Sequence, residues 1–283
     1  MKVSVIGGAN IDITAQVHGR FIAGDSNPGT VRLSMGGVAR NIAHNLLLLG
    51  DEVRLITVFG DDILGRIIQE DCRRLGLDIR LSEVVGASSQ PSFISVNSPS
   101  GDLLGGVSAM DAVEAMTPEW LGARMDMLNG SDAVVIDANL SAESIAFLLS
   151  GLRVPVYLDA VSAAKAPRIR EAVLSSGGRV HSLKCNRLED SVLGELPGIS
   201  RRYVTLGSEG IRIEEGDSHT VLPALPANVV NVTGGGDALL AGIVHAGPDA
   251  PAEAAARRGL LCAKCAIESM DAVNPLLKYI QYE

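Results

Sequence analysis

The sequence predicts an α/β protein: a mainly parallel sheet sandwiched by helices, with a small β-sheet acting as a lid over one end. Three observations carry this expectation. From about residue 117 onward, helical and apolar-strand patterns alternate, as successive βα units do when they build a parallel sheet covered on both faces. Hydrophobic residues make up 47% of the chain and aromatics only 3%, so the core is built from Val, Leu, Ile and Ala, the composition of buried parallel strands. Two early β segments, about 13–34 and 79–108, do not fit that sheet and are assigned to the lid. The 283 residues read as a single domain, since no repeat, low-complexity stretch or linker divides them.

Taken in order, Lys2 to Ile6 is a short apolar strand ending at Gly7-Gly8, with Asn10 and Asp12 just beyond. The glycines lack the spacing of a dinucleotide fingerprint. Residues Ile11 to Leu33 alternate and turn through Gly24-Asp25-Ser26-Asn27-Pro28-Gly29. Gly36-Gly37 opens a helix carrying Ile42, Leu46 and Leu49, which Gly50 closes. A strand from Val53 to Val58 leads to a helix with apolar positions Ile63, Leu64, Ile67, Ile68, Cys72 and Leu75. Ser92 to Asn97 alternates, and Pro99 to Asp102 makes a hairpin-like turn. The strands of the alternating half are 133–136, 154–158, 180–183, 203–206 and 229–232; Asp137, Asp159 and Asn186 follow three of them. Ligands of such a sheet bind at the carboxyl ends of its strands.

The formal net charge of -9 argues against a nucleic-acid partner held by a broad basic face, yet leaves room for a small anion held by main-chain amides. Four cysteines in so long a chain fit a reducing compartment, and the absence of a signal peptide or membrane-length apolar run leads to the expectation of a cytoplasmic protein with no membrane partner. Cys262 and Cys265 lack two further zinc ligands and read as small buried hydrophobes. The five histidines show no metal-ligand spacing. There is no Walker P-loop, HExxH or Gly-x-Ser-x-Gly.

What remains is a glycine-rich stretch near the C-terminus. After Val229, Val230 and Val232, the glycines Gly234, Gly235 and Gly236 allow main-chain amides to converge on an anion, and a helix beginning just after them aims its positive end at the same spot. Asp237 in the mouth of an anion site is a poor phosphate ligand. It suits the removal of a proton from a hydroxyl that attacks phosphate, or else it caps the helix.

Four pieces in this order resemble the ribokinase-like (PfkB-type) family of carbohydrate and nucleoside kinases over nearly the whole length: Gly36-Gly37-Val38-Ala39-Arg40-Asn41-Ile42-Ala43, Lys184 to Glu189, Thr205 to Gly210, and Val232 to Asp237. The resemblance implies that Asp237 is the catalytic base and that Gly234, Gly235 and Gly236 form the anion hole. It also implies that Asn10, Asp12, Gly37 and Asn41 hold sugar hydroxyls, with Asn139 a further candidate. Lys184, Asn186, Thr205, Gly207 and Gly210 would serve ATP, and Asn186 with Glu189 would organise Mg²⁺ through water. Each has a plainer alternative: Asn10 or Asp12 as turn caps, and Asn186 with Glu189 as a capping box. Gly235 stands where relatives usually have Ala, Leu239 where they have Phe, and Cys185 where they have Pro. Asn231 stands where many carry an Asp in a loop that binds a monovalent cation, which speaks against activation by K⁺. Closer resemblance, through residues 29–41, 110–120, 137–140 and 159–165, is to the pseudouridine kinase branch, implying ATP-dependent 5′-phosphorylation of a nucleoside. Other sugar or nucleoside kinases, or a non-catalytic binding regulator, are the alternatives. A lid with exposed edges suggests a homodimer.

Overall fold

The structure is a computed structural model and describes residues 1–280. The chain runs through strands β1 (Lys2–Ile6), β2 (Asn10–Val17) and β3 (Gly29–Gly36) into helix α1 (Val38–Leu48). There follow β4 (Glu52–Ile56), β5 (Val58–Gly60), α2 (Ile63–Leu75), β6 (Glu83–Val85), β7 (Ser92–Asn97) and β8 (Leu103–Ala109). Short helices α3 (Pro118–Gly122) and α4 (Met125–Asn129) precede the alternating half. That half comprises β9 (Ala133–Asp137), α5 (Ala142–Gly151), β10 (Val156–Asp159), α6 (Ala166–Ser176), β11 (Val180–Asn186), α7 (Arg187–Leu193) and β12 (Ile199–Thr205). Strands β13 (Ile211–Glu215) and β14 (Ser218–Leu222) and helices α8 (Gly235–His245) and α9 (Ala252–Ile267) complete the order.

The large sheet has eight strands in the order β14-β13-β12-β11-β10-β9-β1-β4. It is parallel from β4 to β12, and the β13–β14 hairpin extends it antiparallel. Its strands are apolar on both sides because both sides are covered. Val3, Val5, Ala133, Val135 and Tyr157 face one core with α1, α2, α8 and α9. Ile6, Val134, Ile136, Val156 and Leu158 face the other with α5, α6 and α7. The small sheet has the order β3-β2-β7-β8, with β2 and β7 parallel and the other pairs antiparallel.

Helix α2 starts and stops as its sequence directs. The Asp62 carboxylate accepts from the Gly65 N–H at 2.8 Å, and Gly76 ends the helix at φ 87°. Helix α1 has no side-chain cap of its own. Its N-terminal Ala39 N–H is satisfied by Asp137, 98 positions away, at 3.0 Å.

Several expected boundaries are corrected. Val229 to Val232 is not a strand: Val229, Val230 and Val232 are exposed, and the Val230 and Asn231 N–H groups both donate to the Ile267 carbonyl. The sheet edge beside β12 is filled instead by the β13–β14 hairpin, an element absent from the expected strands. The expected strand 53–58 is two, with β5 pairing with β6 apart from the lid sheet, so the second lid segment begins at Ser92 rather than 79. The first begins at Asn10, placing Asn10 and Asp12 on β2 itself. Ile63 and Ile67 lie on the exposed side of α2. No helix among the described residues is long and apolar enough to cross a membrane.

Candidate active site

The site is built where β1, β9, β10, β11 and β12 end, and a buried carboxylate organises it. Asp137, the last residue of β9, is wholly buried. It accepts from the main-chain N–H groups of Gly8 (2.9 Å), Ala39 (3.0 Å) and Asn139 (2.8 Å). One side chain therefore fixes the turn after β1, the start of α1 and the turn after β9. A Cβ at Gly7 would collide with this carboxylate, which explains the glycine there. Burial raises the Asp137 pKa, against the pull of those hydrogen bonds.

Asp237 stands in the first turn of α8, whose N-cap is Gly234 at φ 81°. The helix begins at Gly235, so two of the three glycines lie within it rather than before it. A side chain at Gly234 would strike the Ala272 carbonyl, and one at Gly236 would come 2.8 Å from the Lys184 ammonium. Asp237 is 9% exposed and accepts from the Asn41 amide at 2.9 Å, joining the α1 and α8 starts. Burial, then the nearby Asp159 charge, push its pKa up to about 7, opposed by Lys184 and the Asn41 bond. Lys184 is buried and pairs with Asp159 at 3.0 Å. Burial alone would lower its pKa, but Asp159, Asp237 and Glu189 hold it well above the usual lysine range. The cluster thus offers a carboxylate with raised proton affinity beside a permanent cation and a helix N-terminus, the equipment for moving a proton next to an anion.

The remaining expected residues fall into two groups. Asn10 donates to the Asp12 carboxylate at 2.6 Å, and Asp12 lies across Gly36, where a Cβ would collide with it. Burial raises the Asp12 pKa. Gly37, at φ 101°, crosses so close to the backbone of Gly8 to Asn10 that a side chain has no room. Asn139 is bonded through its Oδ1 by the Lys165 ammonium and lies over Gly8. Of these positions Gly37 touches Asn41 directly, its carbonyl accepting the Asn41 N–H at 2.8 Å. The second group lies on β11, β12 and the turn beyond. Asn186 and Thr205 are register partners. Asn186 and Glu189 do form the capping box: Glu189 N–H to Asn186 Oδ1 is 2.9 Å and Asn186 N–H to Glu189 Oε2 is 2.8 Å. Gly207 faces open space, whereas Gly210 packs against the backbone of Leu222 to Ala224, so close packing accounts for that glycine.

Beside the nest, Asn231 is held in one orientation. Its Oδ1 accepts from the Thr233 N–H at 3.0 Å and its Nδ2 donates to the Met270 carbonyl at 3.0 Å. The two bonds fix the side chain across the turn before Gly234.

Asp137 and Asp159 carry the site's framework but were visible in sequence only as polar residues after apolar strands. Arg40 was missed as well: it is 6% exposed, pairs with Asp71 at 2.6 Å and donates to Asn41 Oδ1 at 3.3 Å. The signal was a charge within an apolar helical run.

A family model described as pfkB family carbohydrate kinase matches residues 1–177 and 188–278. The pseudouridine kinase of Escherichia coli (strain K12) is 31% identical over 261 residues, 85% of this chain and 82% of that protein. A carbohydrate kinase structure from Agrobacterium tumefaciens is 28% identical with a TM-score of 0.84, covering 99% of this chain and 96% of that one. Arabidopsis thaliana ribokinase complexed with ribose and ATP shares the fold, at 18% identity and a TM-score of 0.84 over 98% and 97% of the two chains.

Removing the Asp137 carboxylate strands three buried N–H groups, each costing about 1–3 kcal/mol. Asp137→Ala is therefore expected to lose about 3 kcal/mol or more of stability, read as a lower urea midpoint at unchanged m-value.

Proposed function

The chain belongs to the pfkB family of carbohydrate kinases and is a phosphotransferase with an alcohol acceptor; from that premise we propose that it transfers the γ-phosphoryl group of ATP to the 5′-hydroxyl of a nucleoside, pseudouridine first among them. The observation that carries this reading is Asp237, a carboxylate of raised proton affinity at the glycine-rich start of α8. Asn10, Asp12, Gly37, Asn41 and Asn139 hold the ribosyl hydroxyls so that the 5′-oxygen faces Asp237. As that oxygen bonds to the γ-phosphorus, its proton passes to the Asp237 carboxylate. The bond from the γ-phosphorus to the bridging oxygen breaks, and ADP leaves with those electrons. The N–H groups at Gly234, Gly235 and Gly236 steady the charge on the phosphoryl oxygens, and Lys184 adds a fixed cation beside them. Its distance from Gly236 supports that assignment.

The nucleotide lies along Asn186, Thr205, Gly207 and Gly210. A Mg²⁺ ion would neutralise phosphate charge, with Asn186 and Glu189 arranging its water shell. Both Glu189 oxygens are engaged by Asn186, at 2.8 and 2.7 Å, which suits contact through water over direct ligation. No step is routed through a monovalent cation, in keeping with an Asn231 side chain that is engaged by the Met270 carbonyl and the Thr233 N–H. The outer face of the lid sheet carries exposed Val31, Leu33, Ile94 and Val107, and we assign it to pairing with a second copy.

Purified protein with ATP and Mg²⁺ is expected to release ADP with pseudouridine and far less with ribose, adenosine or inosine. Asp237→Asn is expected to lower kcat about 10²–10⁴-fold while nucleoside still raises the melting temperature; unchanged ADP release rejects the base assignment. Because the base must be ionised, kcat/KM is expected to fall as pH drops through about 7, tenfold per unit below it, and Asp237→Asn to lose that limb. Replacing K⁺ with choline is expected to leave ADP release unchanged; dependence on K⁺ would show that the Asn231 bridge does not substitute for an ion.

A further inference from the structure

We infer that Phe93 is the platform on which the base of the nucleoside lies, and that this side chain sets the preference for nucleosides over free sugars; the inference rests on the nucleoside-kinase reading above. Phe93 on β7 is the register partner of Asp12 on β2. The strands are parallel, so the two side chains stand side by side on one face of the small sheet, about 4.8 Å apart at the backbone. A ribose and a base joined by one bond span neighbouring positions of that kind.

That face looks toward the site. Arg32, opposite Thr14 in the register and thus on the Asp12 side, forms an ion pair with Asp271, whose neighbour Ala272 places its carbonyl against Gly234. Around Phe93 the face is polar, with Asn10, Asp12, Thr14, Ser34 and Ser95, and its other large apolar side chain, Leu103, lies at the far end beside Asn97. Apolar packing is the business of the opposite face, through Ile11, Ile13 and Met35. An aromatic ring on the polar side is therefore out of pattern in a chain with 3% aromatics. Phe93 is 37% exposed, and its ring extends across Gly106 of β8, where an added Cβ would come 3.2 Å from the ring carbons. The glycine gives the ring room beside β8 while the side chain stays partly open to solvent, as a stacking surface for a planar base requires. A free pentose makes no use of such a face.

The plainer role is cover for Gly106, and a set of variants separates the two. ADP release by the full chain is measured with pseudouridine varied at saturating ATP. Phe93→Ala is expected to raise the KM for pseudouridine roughly tenfold or more, with kcat and the KM for ATP unchanged. Phe93→Tyr is expected to keep a near-normal KM. Phe93→Leu still covers Gly106 but offers no flat face, and is expected to behave like Phe93→Ala; should the alanine variant not fold, the Tyr and Leu pair decides alone. An unaltered KM, full recovery with leucine, or a fall in kcat alone overturns the inference and leaves the kinase reading standing. Absence of turnover with every nucleoside in the unaltered protein overturns that reading and the inference together.

Discussion

The site depends on how unequally its buried carboxylates are compensated. A buried carboxylate costs several kcal/mol unless donors or a cation meet it. Asp137 has three main-chain N–H groups. Asp159 has the Lys184 ammonium and the Val161 N–H, at 3.0 and 2.8 Å. Asp237 has the Asn41 amide and shares the field of Lys184 with Asp159. Burial raises the proton affinity of both Asp137 and Asp237, and of these two it is Asp237, held by a single amide, that stands at the glycine-rich start of α8. Neighbours thus set like residues apart: Asp137 and Asp159 fix turns and strand ends, while Asp237 joins α8 to α1.

The same division explains how the two halves of the chain meet. Strand β1 lies between β4 and β9, so the Gly7-Gly8 turn and the end of β9 are adjacent although far apart in sequence. Asp137 turns that adjacency into a fixed geometry, and Asn41 extends it to α8 through Asp237. The glycines at 7, 36 and 37 are the spaces that let carboxylates and backbone approach this closely.

Much of this was legible in the sequence, for physical reasons that also mark where legibility ends. The βα alternation from β9 to β12 and the helix start beside Asp237 are local patterns; the strands appear where expected, and the helix begins at Gly235, one glycine into the run. Asn186 and Glu189 carry a local spacing, and it forms the capping box that spacing allows. The valines at 229, 230 and 232 misled because β-branching reports what a strand would favour, not whether a partner edge is free. The β13–β14 hairpin is short: Ile211 to Glu214 alternates over only four residues, and β14 is exposed except for Leu222. The work of Asp137 was invisible because a helix cap supplied from 98 residues away depends on strand order, which no window of sequence contains.

The ion pair of Arg32 with Asp271 joins the small sheet to the chain beyond α9. Its partners are 50% and 61% exposed, so the contact is worth about 0–1 kcal/mol and is screened by salt. The small sheet is thus tied to the segment beside Gly234 by a contact that salt weakens, while the buried Asn41–Asp237 bond, out of reach of such screening, keeps α1 and α8 aligned.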